Sequence, residues 1–166
     1  MTAVIGVISD THGLLRPEAV TALEGSDYIF HAGDVGDPDI LTVLRSIAPV
    51  TAIRGNIDPP HCELPATVQI SLAGRRFYMI HDLNDLQIDP IREGVHVVIS
   101  GHSHKPSIES RENVMYLNPG SAGKRRFKLP VTLAKIVLCG VEMKTDIVHL
   151  LRPAAGRADT APKNAG

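Results

Sequence analysis

Five apolar runs in this chain each end in a cluster of polar residues, and that repetition constrains the fold more than any other feature. The clusters are Asp10-Thr11-His12, His31-Ala32-Gly33-Asp34, Gly55-Asn56, His81-Asp82 and Gly101-His102-Ser103-His104. The first half alternates short apolar runs with helical patterns: Val4 to Ile8, Glu18 to Leu23, Tyr28 to Phe30, Ile40 to Ile47 and Val50 to Ile53. Strand and helix in this alternation predict a βαβαβ unit with mostly parallel strands. In open sheets of that kind ligands gather outside the carboxyl ends of the strands, so residues distant in sequence would meet on one rim.

After Pro59-Pro60 the pattern changes. Thr67 to Leu72 and Phe77 to Ile80, joined through Ala73-Gly74, read as a hairpin. Val95 to Ser100 is a further buried strand. Ser107 to Ser110, Val114 to Leu117, Val131 to Leu138 and Glu142 to Leu150 then follow with almost no helix, the last two turning at Cys139-Gly140. This half is expected to supply a second, more antiparallel sheet. The fold class predicted is α/β, two packed mixed β-sheets flanked by helices. With 166 residues, 43% of them hydrophobic and 21% charged, the chain suits one domain with a sizeable core. Residues 1–151 are expected to form it. From Arg152 the chain is Ala, Pro, Gly and polar residues without apolar periodicity, so 152–166 reads as a flexible tail.

Lys and Arg total 17 against 18 Asp and Glu, which excludes a broad surface for nucleic acid or anionic membrane and requires any acidic substrate to be gripped locally. The run Ala3 to Ile8 is too short for a membrane span and has no preceding Lys or Arg, unlike a signal peptide. Cys62 and Cys139 form no C-x-x-C pair, which fits a reducing, cytoplasmic setting. Self-association into a homo-oligomer is compatible with this reading and is not specified by it.

Each polar cluster has an ordinary structural explanation when taken alone. Asp10 could cap a helix, Gly55-Asn56 could be a turn, and His81 could be a core histidine. Gly101-His102-Ser103-His104 is more telling, because imidazoles two residues apart in an extended segment face the same side. Five of the eight histidines fall in the five clusters, and convergence at one site explains them together. The chemistry that needs such a set is phosphate ester hydrolysis: two divalent metals about 3.5–4 Å apart supply a hydroxide at neutral pH and positive charge for the phosphoryl oxygens, with one carboxylate bridging them. Imidazole and carboxylate ligands suit manganese, iron, zinc or nickel better than calcium, and magnesium less naturally.

The ordered blocks Asp10-x-His12, Gly33-Asp34, Gly55-Asn56-x-Asp58, His81 and Gly101-His102-Ser103-His104 resemble the calcineurin-like metallophosphoesterase family, especially its small single-domain phosphodiesterase branch. The resemblance runs from about Val4 to Gly123 and extends to Leu117-Asn118-Pro119-Gly120-Ser121. It implies that Asp10, His12 and His104 hold one metal, that Asn56, His81 and His102 hold the other, and that Asp34 bridges. Asn56, His81 and Asp34 are the catalytic candidates among them. Manganese is the first choice of cation, and the implied reaction is attack of a metal-bridging hydroxide on a small phosphate ester.

Two positions depart from the family pattern. Many larger members carry a histidine after the Gly-Asn pair, where this chain has Ile57, so esters with good leaving groups, and diesters, are the favoured substrates. Asp58 is another candidate for the missing acid. Small relatives often follow the His81 position with glycine, where this chain has Asp82, read as a turn residue more readily than as an orienter of His81. Arg125 and Arg126 in the basic stretch Lys124 to Lys128, and Arg54, are candidates for holding a phosphate oxygen. His31 is expected to buttress the Asp34 loop, and His61, His96 and His149 to be structural or surface residues. The competing reading is a non-catalytic binding scaffold on the same fold, resembling the retromer sorting subunit. It would be marked by lost ligands, and none is lost. A dinucleotide fold would need G-x-G-x-x-G after the first strand, where Ser9-Asp10-Thr11-His12-Gly13 stands.

Overall fold

The computed structural model describes residues 1–152. The first sheet contains β1 (Thr2–Ile8), β2 (Tyr28–His31), β3 (Val50–Ala52), β9 (Thr132–Cys139) and β10 (Glu142–His149), in the order β10-β9-β1-β2-β3. The second contains β4 (Thr67–Leu72), β5 (Arg75–Ile80), β6 (Val97–Ile99), β7 (Ser107–Arg111) and β8 (Val114–Asn118), in the order β4-β5-β6-β8-β7. Helices α1 (Pro17–Leu23) and α2 (Asp39–Arg45) complete the frame. The tail expected over 152–166 lies, Arg152 apart, outside the described residues.

The period-2 pattern of β1 explains the layers. Ile5 and Val7 point between the sheets, where they meet Phe30, Phe77, Met79 and Leu117. Ile8 points the other way, among Ala19, Leu23, Ile40 and Leu44 under the helices. Each such side chain contributes roughly 1.5–3 kcal/mol on burial. Helix α1 has only seven residues and no side-chain cap. A helix so short is marginal alone, and the buried Ala19 and Leu23 hold it to the sheet. The outer face of the second sheet carries Tyr78, Ile80 and Val98, covered by Leu83, Leu86 and Ile88 rather than by an α-helix.

Three expectations are corrected. Strands β9 and β10 join the first sheet: β9 runs antiparallel to β1 from Thr2 opposite Cys139 to Val7 opposite Ala134. The run Val131 to Leu138 is apolar on both faces, which marks an interior strand but not which sheet contains it. The second sheet is also no more antiparallel than the first, each having two parallel and two antiparallel pairings. The last hairpin turns at Gly140-Val141, one residue later than expected, with Cys139 opposite Glu142. The hairpin at Ala73-Gly74 forms as read, both residues having positive φ, 46° and 75°, as a two-residue turn of the primed type demands.

The parallel trios β1-β2-β3 and β5-β6-β8 bring their carboxyl ends to a common rim. Backbone hydrogen bonds tie the emerging loops together there. Asp10 N donates to Gly33 O at 3.0 Å, and Gly101 N donates to His81 O at 2.9 Å.

Candidate metal centre

Each of five strands delivers its candidate ligands within a few residues of its end: β1 gives Asp10 and His12, β2 Asp34, β3 Asn56, β5 His81, and β6 His102 and His104. All seven converge. Asp34 Oδ2 lies 3.4 Å from His12 Nε2 and 3.3 Å from His81 Nε2, almost midway between the two halves of the cluster. Asp10 Oδ1 faces His104 Nε2 at 3.2 Å, His12 Nε2 at 3.7 Å and His81 Nε2 at 3.9 Å. Asn56 Oδ1 stands 3.1 Å from both His81 Nε2 and His102 Nδ1.

The backbone shows that these loops are held rather than relaxed. Asp10, His12, Asp34, His102 and His104 have φ between 46° and 67°, the left-handed region. An L residue there costs roughly 1–3 kcal/mol and persists only where its surroundings over-determine it. Gly33, at φ 96°, approaches so closely that a Cβ would lie 2.7 Å from His81 Nδ1. Glycine is therefore required beside Asp34 for space as well as for conformation.

The donor set tests whether cations fit. His81 Nδ1 lies 2.7 Å from the Ala32 carbonyl, which can only accept, so the neutral ring leaves a bare lone pair on Nε2. That lone pair faces Asp34 Oδ2 and Asn56 Oδ1, and three acceptors in contact need a proton or a cation among them. Asp10 Oδ1 and His12 Nε2 are buried without a hydrogen-bond partner, a costly arrangement unless something positive meets them. The residues fit a pair of divalent ions.

The titration behaviour agrees. Burial would raise the Asp10 carboxyl, but His104, Ser9 and His81 outweigh it and hold its pKa below the ordinary value. Burial acts on Asp34 in the same way and is overcome by His81 and the Ile57 N–H. Burial would lower His81, yet the Asp34 carboxylate, the Ala32 carbonyl and Asp10 raise it above the usual imidazole value. A proton on His81 thus competes with metal. His12 is lowered, chiefly by burial.

Several supporting residues were not assigned these roles from sequence. Asp58 is buried, and its carboxylate accepts from Val35 N at 3.1 Å, Gly36 N at 3.0 Å and Gly55 N at 2.8 Å. It joins the Asp34 and Asn56 loops and is not offered to a leaving oxygen, which removes it as the candidate acid. Ser9 Oγ donates to Asp10 Oδ2 at 2.6 Å, and Ser121 Oγ donates to the Asp10 carbonyl at 3.0 Å. Asn118 Nδ2 donates to Gly101 O at 2.8 Å and holds the His102 loop. Only the likeness of the Leu117 to Ser121 stretch pointed toward this support. Asp82 Oδ1 accepts from Asn84 N, capping a short 3-10 turn, while its Oδ2 faces His102 Nε2 at 3.6 Å. The imidazole beside it is that of His102, not His81.

The three arginines are placed differently. Arg54 shares a cavity with Asn56, His81 and His102, with Nη1 given to Leu64 O at 3.2 Å. Arg126 is exposed on the His12 side, near enough for its charge to disfavour a protonated His12. Arg125 is exposed beside it. Ile57 is half-exposed, its N–H donating to Asp34 Oδ1 at 3.0 Å.

His31 buttresses the Asp34 loop, as expected, and through Thr11 the Asp10 loop as well. Thr11 Oγ1 donates to Val35 O at 2.8 Å, so His31 Nε2–H donates to Thr11 Oγ1 at 3.0 Å, and Nδ1 accepts from Gly33 N at 3.2 Å. Complete burial depresses its pKa to about 4. Between about 4 and the ordinary value of 6.5 the unfolded chain carries a proton that the native ring refuses, so stability falls as pH falls through that window, by at most about 3 kcal/mol. His12 contributes in the same direction and His81 in the opposite one. Urea unfolding of the metal-free protein between pH 7 and 4 should therefore show a shallower decline for His31→Gln than for the wild type. Parallel declines would remove His31 as the source.

A two-sheet α/β frame with seven candidate carboxylate, amide and imidazole ligands on one rim is the architecture of a metal-binding class of proteins. The chain belongs to the calcineurin-like phosphoesterase superfamily, whose model matches residues 4–140. It is 36% identical to a probable metallophosphoesterase of Methanothermobacter thermautotrophicus over 162 residues, covering 90% of this chain and 94% of that protein. A phosphodiesterase of Methanocaldococcus jannaschii is 26% identical over 137 residues, covering 70% of this chain and 82% of the relative. Among solved structures, a predicted phosphoesterase from Streptococcus pneumoniae superposes with a TM-score of 0.71 at 23% identity, covering 90% of this chain and 91% of the other. Vacuolar protein sorting 29 from Cryptosporidium parvum superposes with a TM-score of 0.74 at 18% identity, covering 89% and 96%. At those identities the two structures speak for the fold alone. Among the described residues, no helix is long and apolar enough to cross a membrane.

Proposed function

We propose that the chain is a dinuclear metal-dependent phosphoesterase that favours phosphodiesters, with residues 1–151 as the catalytic domain and 152–166 as an appended tail. The observation that carries this reading is Asp34 Oδ2, nearly equidistant from His12 and His81 at the junction of two ligand groups whose lone pairs face one another. Asp10, His12 and His104 would hold one cation, Asn56, His81 and His102 the other, with Asp34 shared. The cations would supply positive charge that makes water acidic at neutral pH and neutralises the phosphoryl oxygens. The chain's own residues do the rest: Asp58 and His31 fix the loops, His81 gives its Nδ1 proton to Ala32 and keeps Nε2 for metal, and Arg54 and Arg126 stand on opposite sides as phosphate-oxygen donors.

Preference for diesters follows from what flanks Asn56. Ile57 cannot donate a proton, and Asp58 faces backbone N–H groups, so a leaving oxygen receives no acid from this loop. The relative named a phosphodiesterase supports the same direction. The cytoplasmic setting read from the cysteines belongs to this proposal.

The test is to strip metal with chelator, add back manganese, nickel, zinc, iron or magnesium, and compare bis(p-nitrophenyl) phosphate with p-nitrophenyl phosphate. We expect no turnover without metal, the best recovery with manganese, and faster cleavage of the diester. Metal loading should weaken as pH falls, beginning above the usual imidazole range because the His81 pKa is raised. Full turnover in excess chelator after dialysis would contradict the mechanism. Two metals per chain with no ester cleaved would favour the protein-binding scaffold instead.

A further inference from the structure

Two cavities meet at the exposed edge of the candidate metal centre, and together they bear on which esters it takes. One, of about 420 Å³, reaches from Asn56 and His81 out to Arg54, Thr67, Asp85 and Gln87. The other, of about 270 Å³, lies over the β7–β8 hairpin, where Ser107, Glu109 and Arg111 on β7 share a face with Tyr116 on β8. His102 and Asp82 line both. The imidazole and the carboxylate, 3.6 Å apart, form the low partition between them, and His102 is half-exposed along its top.

In each cavity two carboxylates stand with one arginine: Asp82 and Asp85 with Arg54, and Asp82 and Glu109 with Arg111. Arg54 gives Nη1 to the Leu64 carbonyl and lines the same cavity as Asp82 and Asp85. Arg111 is paired with Glu109 at 2.7 Å and lies 4.7 Å above the Tyr116 ring. With Arg54 turned to the oxygens of the reacting phosphate and Arg111 paired with Glu109, neither cavity offers a second cation to a further phosphate. Both offer hydroxyl, amide and carboxylate groups, and one offers a stacked guanidinium and ring, which suit flat or hydroxylated neutral groups.

Resting on the phosphoesterase reading, we propose that the substrate is a phosphodiester bearing a neutral, nucleoside-sized group on each ester oxygen, one seated in each cavity, with the His102–Asp82 pair beneath the phosphate. A monoester would leave one cavity empty, and a pyrophosphate-linked compound would bring a second negative charge against Asp82 and Asp85 or Glu109. Asp82, already the cap of its own turn, thereby becomes a specificity-determining residue.

The experiment compares three manganese-loaded proteins: wild type, Thr67→Trp in the larger cavity and Ser107→Trp in the smaller. None of these changes touches a candidate ligand. Substrates are methyl p-nitrophenyl phosphate, with one small arm, and thymidine 5′-(p-nitrophenyl) phosphate, with two large ones. We expect the wild type to favour the thymidine diester in kcat/KM by about tenfold or more, and each tryptophan to abolish most of that preference while leaving the methyl ester within about twofold. Thymidylyl-thymidine titrated into labelled protein should also shift the NMR signals of both Thr67 and Tyr116. If Ser107→Trp does not fold, Glu109→Trp at an exposed position on the same face replaces it. Equal kcat/KM for the two diesters, unchanged by either tryptophan, would overturn the two-cavity assignment while leaving the phosphoesterase reading intact. No cleavage of any ester by any of the proteins would overturn both.

Discussion

Asp34→Asn is expected to reduce turnover by at least about 10²–10³-fold while leaving the fold in place. Asparagine is isosteric, and its carbonyl can take the Oδ1 position, accepting from Ile57 N as the carboxylate does. Its NH₂ group then occupies the Oδ2 position and points donors at His12 Nε2 and His81 Nε2, which lie 3.4 Å and 3.3 Å away in the wild type. Those imidazoles would be satisfied by protons instead of cations. The variant should therefore be no less stable without metal than the wild type, yet bind both ions more weakly, because the shared negative charge is gone and the lone pairs are occupied. Calorimetric titration with manganese, stoichiometry by elemental analysis and turnover of bis(p-nitrophenyl) phosphate measure the three parts. Two ions per chain with activity kept would remove Asp34 from the shared position.

Asp58→Ala should produce the largest loss of stability, about 2–6 kcal/mol, since the buried Val35 and Gly55 N–H donors lose their acceptor at roughly 1–3 kcal/mol each, while the N–H of the exposed Gly36 turns to water. That is a large part of the 5–15 kcal/mol typical of a single domain. Val35 and Gly36 follow Asp34 directly, and Gly55 precedes Asn56, so the same change should loosen both loops that carry these candidate ligands. A fall of about 10–100-fold in manganese affinity is expected of a residue that orients ligands without touching the ion. Asp58→Asn retains one acceptor oxygen but turns an NH₂ toward backbone donors, so it should recover only part of the loss. Urea midpoints and manganese titrations of both variants provide the check. A change below about 1 kcal/mol would mean that water replaces the carboxylate without penalty.

The convergence of the seven candidate positions could be read from sequence because each follows an apolar run, and parallel strands place their ends together whatever the details of pairing. The pairing itself could not be read so directly. Burial on both faces made Val131 to Leu138 an interior strand, but nothing local says that its neighbour is β1 rather than β8. Asp58 stayed hidden for a related reason: a carboxylate beside Asn56 looks like a turn residue or an acid until its three backbone donors, two of them on another loop, are in place. Asp82 is the turn residue it was read as, but its other neighbour, the imidazole of His102 rather than His81, could be seen only in space. Left-handed backbone at five ligands was also illegible, although Asp and His tolerate it better than most residues. Pattern reports which faces are buried and where strands stop, while hydrogen-bond partners across loops depend on the assembled rim.

The position of β9 has a consequence for biosynthesis. Every candidate ligand has left the ribosome by His104, but β1, the first strand made, keeps one edge unpaired until Thr132–Cys139 arrives. Chains emerge at about 5–20 residues per second, and exposed strand edges recruit other chains. The nascent polypeptide therefore carries a full complement of imidazoles and carboxylates on a half-closed sheet, free to scavenge ions in the wrong arrangement, for seconds before β9 seals it. Correct loading would come last, on a chain whose most sequence-distant strand pairing joins Thr2 to Cys139.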